Sequence, residues 1–248
     1  MDHKKTMTAQ DEYPAIYGEV CRDDFYGLRS LPIVPDVILD IGANIGVFTT
    51  FARFLFPSAR IIAVEPDPRT RALLVQYTAH MPGVTHVAKA LGMGEIWQGN
   101  PPLEEPYYGA VCSYVTANQL GFPEGELDSP PGLGGRDGLP IYKRSKISSV
   151  TLDELVGKYV KPGDKLLIKM DCEGGENYIF AHEPSMVALR RADVLTMETH
   201  YYTKGTGEDY QANAQKVADG LLSLSDTHDC ILDDNKRYFQ AIRKGANV

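Results

Sequence analysis

Ionisable side chains that could hold or move a proton stand at two points of the sequence. Lys169, Asp171 and Glu173 fall within the stretch KMDCEGG, and Glu198 and His200 close a later apolar run. His200 has an ordinary pKa of about 6.5, whereas Asp171, with a reference value of about 3.9, is a weaker base unless burial raises it. We predict that His200 or Asp171 is the general base, with the two glutamates orienting that base or the substrate. Lys169 is a further candidate, and the alternative is that it pairs with Asp171 or Glu173.

A glycine turn follows the first apolar run of the sequence, in the stretch DIGANIG that starts at Asp40. Gly42 permits a tight turn and a close approach of the backbone to a ligand, and Gly46 lets the next helix pack near the strand. The dinucleotide fingerprint G-x-G-x-x-G has its middle glycine where this sequence has Asn44. Glu65 ends the next apolar run, where an acidic residue accepts hydrogen bonds from ribose hydroxyls.

Asp40 distinguishes between two cofactors that such a turn could hold. A carboxylate in the loop disfavours a pyrophosphate, whereas the ammonium and sulfonium groups of S-adenosylmethionine favour a nearby negative charge. We therefore expect S-adenosylmethionine, with an NAD-dependent oxidoreductase as the alternative. The predicted cofactor-binding residues are Asp40, Gly42, Ala43, Asn44, Gly46, Glu65, Pro66 and Ala90.

Apolar runs alternate with helical segments along most of the chain. The runs predict strands at 37–41, 60–64, 84–91, 165–170 and 193–197, and the intervening patterns predict helices at 47–56, 69–79, 151–159, 175–190 and 211–224. Apolar strands interleaved with helices predict a doubly wound α/β fold whose parallel sheet is covered on both faces, in the order 3-2-1-4-5. Short runs at 230–232 and 238–242 predict a hairpin that adds an antiparallel edge. The order places Asp171 beside the glycine turn.

The alternation breaks at residues 97–147, where a loop-rich insertion is predicted. Residues 121–140 alone contain six glycines and four prolines. The insertion is expected to form a lid or acceptor wall, with peripheral packing of an inserted hairpin or a disordered linker as alternatives. Residues 1–36 are predicted to be a substrate or lid segment, or the arm of a homodimer, and residues 37–248 a single domain.

Composition excludes several classes of partner. The chain has 25 basic and 33 acidic residues, a formal charge of −8 that disfavours binding to nucleic acid or a membrane surface. No run approaches the roughly 20 apolar residues that span a bilayer. The four cysteines are far apart, so neither a zinc knuckle nor a disulfide framework is expected. We predict a cytosolic protein that acts on a small molecule.

Four motifs, in this order, resemble the FkbM family of class I S-adenosylmethionine-dependent methyltransferases: VILDIGANIG, IAVEPD, SVTLDEL and LLIKMDCEGGE. The resemblance runs over residues 37–200. It implies a mostly parallel, seven-stranded Rossmann-like methyltransferase sheet and O-methylation of a hydroxyl on a sugar, a polyketide or another small metabolite. The insertion and the segments outside residues 37–200 carry none of these motifs, and they are the regions expected to shape the acceptor pocket.

Methyl transfer to oxygen is an in-line displacement in which the protein aligns the reactants and removes the hydroxyl proton. A magnesium site formed by Asp171, Glu173 and Glu198 is the alternative to a side-chain base, since a metal would acidify a bound hydroxyl. It is not favoured, because carboxylates at a strand end need no metal to explain them. A cofactor-binding protein without catalytic activity is the remaining alternative.

Overall fold

The computed structural model describes residues 14–93, 96–100, 114–117, 143–172, 175–199, 217–233 and 238–246. Its strands, in chain order, are β1 (Val37–Ile41), β2 (Arg60–Val64), β3 (Val84–Val87), β4 (Ala90–Leu91), β5 (Ile96–Asn100), β6 (Tyr114–Ala117), β7 (Lys143–Ile147), β8 (Ser149–Val150), β9 (Leu166–Met170), β10 (Val194–Glu198), β11 (His228–Leu232) and β12 (Tyr238–Arg243). Its helices are α1 (Val47–Leu55), α2 (Pro68–Thr78), α3 (Leu152–Tyr159) and α4 (Glu183–Leu189), with 3-10 helices at Gly175–Ala181 and Ser223–Asp226. Residues 217–222 are also helical.

Seven of these strands form the main sheet, in the order β11-β12-β10-β9-β1-β2-β3. Within this sheet, β3, β2, β1, β9 and β10 are parallel to one another. β12 is antiparallel to both β10 and β11. The predicted order 3-2-1-4-5 and the antiparallel edge hairpin are confirmed. Because β1 lies between β2 and β9, the ends of these three strands meet at one edge of the sheet, where the predicted site residues lie.

Each face of the sheet buries alternate residues of its strands. On one face, Val37, Leu39 and Ile41 of β1 pack in a core cluster with residues of α3 and α4. On the other face, Ile38 packs with residues of α1 and of the segment before β1. Helices therefore cover both faces, as predicted. Lys169 falls on the second face, since it is two residues from Leu167 of that cluster.

The predicted strand at 84–91 is wrong as one strand. β3 pairs with β2 only as far as Val87, because its partner ends at Val64. The chain then leaves the main sheet, and Ala90 pairs in parallel with Ser149, forming a separate two-stranded sheet with β8. β4, which follows β3 in the chain, thus lies beside β8, the strand that leads into α3.

The predicted helix at 175–190 is also wrong as one helix. A 3-10 helix ends at Ala181, His182 has extended backbone angles, and α4 begins at Glu183. Pro184 lies in the first turn of α4 and has no backbone N–H, so it cannot continue a helix that arrives from residue 180. The shorter α4 still buries Met186 and Leu189 in the core.

The insertion was predicted to be loop-rich, with an inserted hairpin as one alternative, and its described residues include three strands. β5 pairs antiparallel with both β6 and β7 in a three-stranded sheet. Ile96 lies opposite Ile147 and Asn100 opposite Lys143, so the described start and end of the insertion are adjacent strands. Residues 101–113 and 118–142, which hold most of the Gly/Pro-rich stretch, lie outside the described residues.

The described part of the predicted amino-terminal lid segment packs against the sheet. Val20, Leu28 and Ile33 are buried in the same core cluster as Ile38 and α1. Among the described residues, no helix is both long enough and apolar enough to cross a lipid bilayer.

Candidate functional site

The turn after β1 passes directly against the end of β9. The amides of Gly42 and Ala43 both donate to the carbonyl of Val64 at 3.0 Å, which joins the turn to the end of β2. Gly42 has a φ of 74°, and a Cβ atom there would lie 1.6 Å from the carbonyl oxygen of Asp171. No side chain fits between two backbones at this distance, so this position requires glycine.

The second half of the turn depends on Asn44, which has a φ of 51°. Asparagine tolerates this left-handed conformation better than most residues, and its side-chain oxygen accepts a hydrogen bond from the amide of Ile45 at 2.7 Å. Gly46 follows with a φ of 92°, and a Cβ there would lie 2.8 Å from a methyl group of Leu74. The turn therefore keeps its shape without the middle glycine of the dinucleotide fingerprint.

Glu65 lies at the end of β2, with its side chain directed to the same turn. One carboxylate oxygen accepts from the amide of Asn44 at 3.0 Å and the other from the amide of Asp67 at 2.9 Å. The residue is 7% exposed. Burial raises the pKa of Glu65 to about 7, although the two amides oppose that rise. Each carboxylate oxygen can accept a further hydrogen bond, so this group could hold two hydroxyls.

Pro66 and Asp67 continue from Glu65 into α2. Asp67 caps the helix by accepting from the amides of Arg69 and Thr70, and Pro68 stands in the first helical turn. The side chain of Arg71 donates to the carbonyl of Pro66 at 2.7 Å. These bonds fix the backbone on which Glu65 is carried.

A buried ion pair lies behind the turn. Asp40 is 0% exposed, and its Oδ2 accepts from the hydroxyl of Thr49 at 2.6 Å. Its Oδ1 lies 3.3 Å from Nζ of Lys169. Lys169 is on β9, directly opposite Asp40 in the register of β1 and β9. Lys169 also donates to the carbonyl of Gly42 at 2.7 Å. Asp40, whose negative charge was predicted to favour a cationic cofactor, is thus paired with Lys169 inside the protein.

Lys169 stays charged in this setting. Burial alone would lower the pKa of its ammonium group, but the carboxylates of Asp40 and Asp171 raise it above its ordinary value. Its Nζ also lies 5.3 Å from the ring centre of Tyr26 and 5.6 Å from that of Phe48, where the ring faces favour a cation.

Asp171 follows β9 and points to the open edge of the sheet, with 28% of its side chain exposed. Its Oδ2 accepts from the hydroxyl of Tyr26 at 2.8 Å and lies 3.8 Å from Nζ of Lys169. The backbone amide of Asp171 donates to the carbonyl of Ile41 at 3.0 Å. A partly exposed carboxylate therefore stands beside the glycine turn, as the strand order predicts.

Glu198 ends β10, the strand next to β9, and is half-buried. Its charge contributes to the rise in the pKa of Tyr26, after burial and Asp171, so it lies within electrostatic range of that hydroxyl. Ala90 is buried in β4. Glu173 and His200 lie outside the described residues, so their roles stay predictions.

The magnesium alternative involves one residue that the structure does not describe. Within the described residues, no group of three histidine, cysteine or acidic side chains could hold a metal ion. Glu173, the third candidate ligand, is outside that part of the chain, and one described neighbour of Asp171 is the cationic Lys169.

Tyr26 and Thr49 are contacts of the site that sequence reasoning missed. Thr49 could have been found, because it lies on the helix after the glycine turn, on the face that packs against β1. Tyr26 precedes the first motif and belongs to no periodic pattern, so no signal in the sequence connects it with Asp171.

Comparison with known proteins gives one family match and several partial relatives. A family model described as the methyltransferase FkbM domain matches residues 40–229. Methyltransferase sdnD from Sordaria araneosa is 43% identical over 53 residues, 21% of this chain and 20% of that protein. AMB antimetabolite synthetase AmbE from Pseudomonas aeruginosa is 39% identical over 65 residues, 26% of this chain and 3% of that protein. The chain thus aligns with a fifth or less of either relative.

Among solved structures, Aeropyrum pernix fibrillarin with natively bound S-adenosyl-L-methionine has a TM-score of 0.43 at 13% identity. The alignment covers 90% of this chain and 73% of that one.

Proposed function

Because the chain belongs to the FkbM methyltransferase family, we propose that it transfers the methyl group of S-adenosylmethionine to a hydroxyl oxygen of a small acceptor. The observation that carries this proposal is the partly exposed carboxylate of Asp171, which stands at the end of β9 against the Gly42 turn. Cofactor crevices of open α/β sheets lie at such strand ends, where the strand order reverses.

The residues at these strand ends fit an adenosyl cofactor. Glu65 offers a buried carboxylate whose oxygens have acceptor capacity left for ribose hydroxyls. Gly42 keeps the turn free of a side chain where the backbone of β9 is closest. When bound, the cofactor supplies a methyl group on a sulfonium, which is already a good leaving group.

Asp171 then has the task of holding the acceptor hydroxyl. A carboxylate accepts a hydrogen bond from a hydroxyl, which aims the oxygen and receives or passes on its proton. Tyr26 donates to Asp171 and Lys169 lies beside it, so this carboxylate is held in place and suited to orientation. His200 is the stronger candidate for the final proton acceptor. Glu198, on the neighbouring strand, is proposed to orient the acceptor.

The proposed acceptor is a hydroxylated sugar, polyketide-like compound or other small metabolite, and the proposed location is the cytosol. We propose that residues 97–147 and the segment before β1 shape its pocket. The paired strands β5 and β7 give that insertion a fixed base beside β4, which is consistent with a wall rather than a linker.

Asp171→Asn is expected to lower methyl transfer by at least about 100-fold while changing affinity for S-adenosylhomocysteine by less than about threefold. Asparagine keeps the size of the side chain, but its neutral amide neither aims the acceptor hydroxyl as a carboxylate does nor passes on its proton. Mass spectrometry of a panel of hydroxylated compounds with S-adenosylmethionine identifies the acceptor, and calorimetry gives the affinity. His200→Ala, measured in the same way, is expected to lose turnover and to keep affinity.

Asp229→Asn is the matched control, since Asp229 is exposed on the edge strand β11, and it should behave like the parent protein. If Asp171→Asn and His200→Ala both methylate as well as the parent, the proposed site is wrong. Binding of NAD without any response to S-adenosylmethionine would support the oxidoreductase instead. Turnover that survives chelation with EDTA would dismiss magnesium, whereas loss that magnesium restores would establish it.

Affinity for S-adenosylhomocysteine is expected to rise with pH up to about 7 and then to level off. The pKa of Glu65, raised by burial to about 7, leaves this carboxyl largely protonated at lower pH. Ribose hydroxyls donate better to the ionised form, so the ligand binds that form more tightly and binding releases a proton. Calorimetry in buffers of different ionisation enthalpy should show release of up to about one proton near pH 6 and almost none near pH 8.5.

Glu65→Gln should bind more weakly and lose this proton release, because its amide does not titrate. Glu154→Gln is the control: Glu154 is exposed and caps α3, away from the turn, so its variant should show the release of the parent. Proton release that is equal near pH 6 and pH 8.5 in the parent would contradict the assignment of Glu65.

A further inference from the structure

Tyr26 joins the segment before β1 to the candidate reaction centre. Its hydroxyl donates to Oδ2 of Asp171 at 2.8 Å, across a sequence separation of 145 residues. The residue lies outside the stretch 40–229 that matches the family model. It is 4% exposed, although it sits in a loop between a π-helical turn at Gly18–Arg22 and a 3-10 turn at Leu28–Ser30.

The backbone of this loop is fixed by local bonds. Asp24, with a φ of 52°, accepts from the amides of Leu28 and Arg29 at 3.0 Å each. Gly27 follows Tyr26 with a φ of 67°. The carbonyl of Tyr26 lies 3.2 Å from the hydroxyl of Thr196, which stands on β10. The loop is therefore tied both to itself and to the sheet, so Tyr26 has little freedom to move.

The ring of Tyr26 is held in the same way. It meets the ring of Phe25 edge-on at 5.0 Å and that of Phe48, on α1, edge-on at 5.4 Å. Such edge-to-face pairs fix the plane of each ring. Because the backbone and the ring are both held, the hydroxyl of Tyr26 is fixed at the place where it donates to the carboxylate of Asp171.

The contact has a single direction. Burial, with the charge of Asp171, raises the pKa of Tyr26 well above its ordinary value, so the phenol stays protonated and donates. The same oxygen of Asp171 is attracted by Nζ of Lys169 at 3.8 Å. Tyr26 and Lys169 therefore act on the same oxygen of Asp171, and the hydrogen bond from Tyr26, the shorter of the two contacts, fixes the orientation of this partly exposed carboxylate.

We propose that Tyr26 is a positioning residue of the reaction centre, which acts by holding the carboxylate of Asp171 beside the transferable methyl group. This proposal rests on the proposed function. It makes the segment before β1 part of the site, through a residue that acts by way of Asp171.

Sinefungin gives a test that needs no acceptor. In this analogue of S-adenosylmethionine, a carbon that bears an ammonium group replaces the methyl-bearing sulfur, so a carboxylate beside the methyl position should favour it over S-adenosylhomocysteine. We expect the parent to bind sinefungin about tenfold more tightly, as a charge-assisted hydrogen bond allows. Tyr26→Phe should reduce that preference to about threefold or less. The ring at position 26 should still pack against Phe25 and Phe48, so the melting temperature should stay close to that of the parent.

Comparison of the two ligands cancels a general loss of folded protein, so a purely structural role of Tyr26 would leave the ratio unchanged. Asp171→Asn should abolish the preference, and adding Tyr26→Phe to it should change nothing more. The matched control is Tyr238→Phe: this tyrosine packs against Phe25 as well, but its hydroxyl lies near Thr196 instead of Asp171, and its variant should keep the parent ratio.

A parent preference that Tyr26→Phe retains in full would overturn the proposal and leave the proposed function intact. The same holds if Tyr238→Phe loses the preference equally. A parent that binds neither ligand, or that binds both equally, would contradict the proposed site itself, and the role of Tyr26 with it.

Discussion

Gly42→Ala is expected to lose measurable affinity for S-adenosylhomocysteine, a weakening of at least about 100-fold, and to unfold at a clearly lower temperature. The added methyl group would lie 1.6 Å from the carbonyl oxygen of Asp171 and 2.6 Å from its carbonyl carbon. Both are backbone atoms, so neither can rotate aside. Relief requires the turn and the end of β9 to separate, which moves the two parts of the site that must meet. Calorimetry and thermal denaturation measure the two effects.

Gly163→Ala separates this collision from the cost of the backbone conformation. Gly163 has a φ of 88°, and no heavy atom lies within 4 Å of the position its Cβ would take. The free energy of unfolding of its variant should therefore fall only by the cost of the left-handed conformation, about 1 kcal/mol. The variant should keep the affinity of the parent for S-adenosylhomocysteine. If both variants bind the ligand equally well, close contact between the turn and β9 does not matter for binding.

Lys169→Met should lower the free energy of unfolding by about 3–5 kcal/mol at neutral pH, the range found when one partner of a buried ion pair is removed. Methionine preserves most of the packing of the lysine side chain. What is lost is the cation 3.3 Å from Asp40, which is fully buried, and the donor to the carbonyl of Gly42. Urea denaturation, analysed for a two-state transition, gives the change.

Two further variants test this explanation. Asp40→Asn combined with Lys169→Met should recover part of the lost stability, because no unpaired charge remains buried. Lys158→Met, on the exposed face of α3, should change the free energy of unfolding by less than about 0.5 kcal/mol. A loss in Lys169→Met no larger than in Lys158→Met would show that the ion pair is not important for stability.

Most of the parallel sheet could be predicted from sequence, because its strands are apolar runs that end at turn residues. β1 and β2 have the predicted bounds, and β9 begins one residue later than predicted. The errors arose where tertiary contacts decide the structure. The end of β2 at Val64 was predicted, but nothing between residues 84 and 91 shows that the chain leaves the main sheet after Val87, opposite that end, and that Ala90 pairs with Ser149 instead.

The sequence predicted which described candidates lie together but missed the ion pair of Asp40 with Lys169. Gly42, Glu65 and Asp171 lie at the ends of β1, β2 and β9, since the order of the strands follows from general rules of α/β folds. The role of Asp40 depends on the register of β1 against β9, which places it opposite Lys169. A local sequence pattern does not predict the register between strands that are far apart in the chain. The contact of Tyr26 with Asp171 is equally non-local.

The pairing of β5 with β7 makes the insertion a branch with a closed stem. Ile96 opposite Ile147 starts the stem, and Asn100 opposite Lys143 ends its pairing. Among the described residues, these two strands connect the branch to the rest of the chain. The entropy of closing such a branch grows with the logarithm of its length, so long additions or deletions there cost little stability. We therefore expect chimaeras joined at this stem to keep the main sheet while they exchange the whole branch.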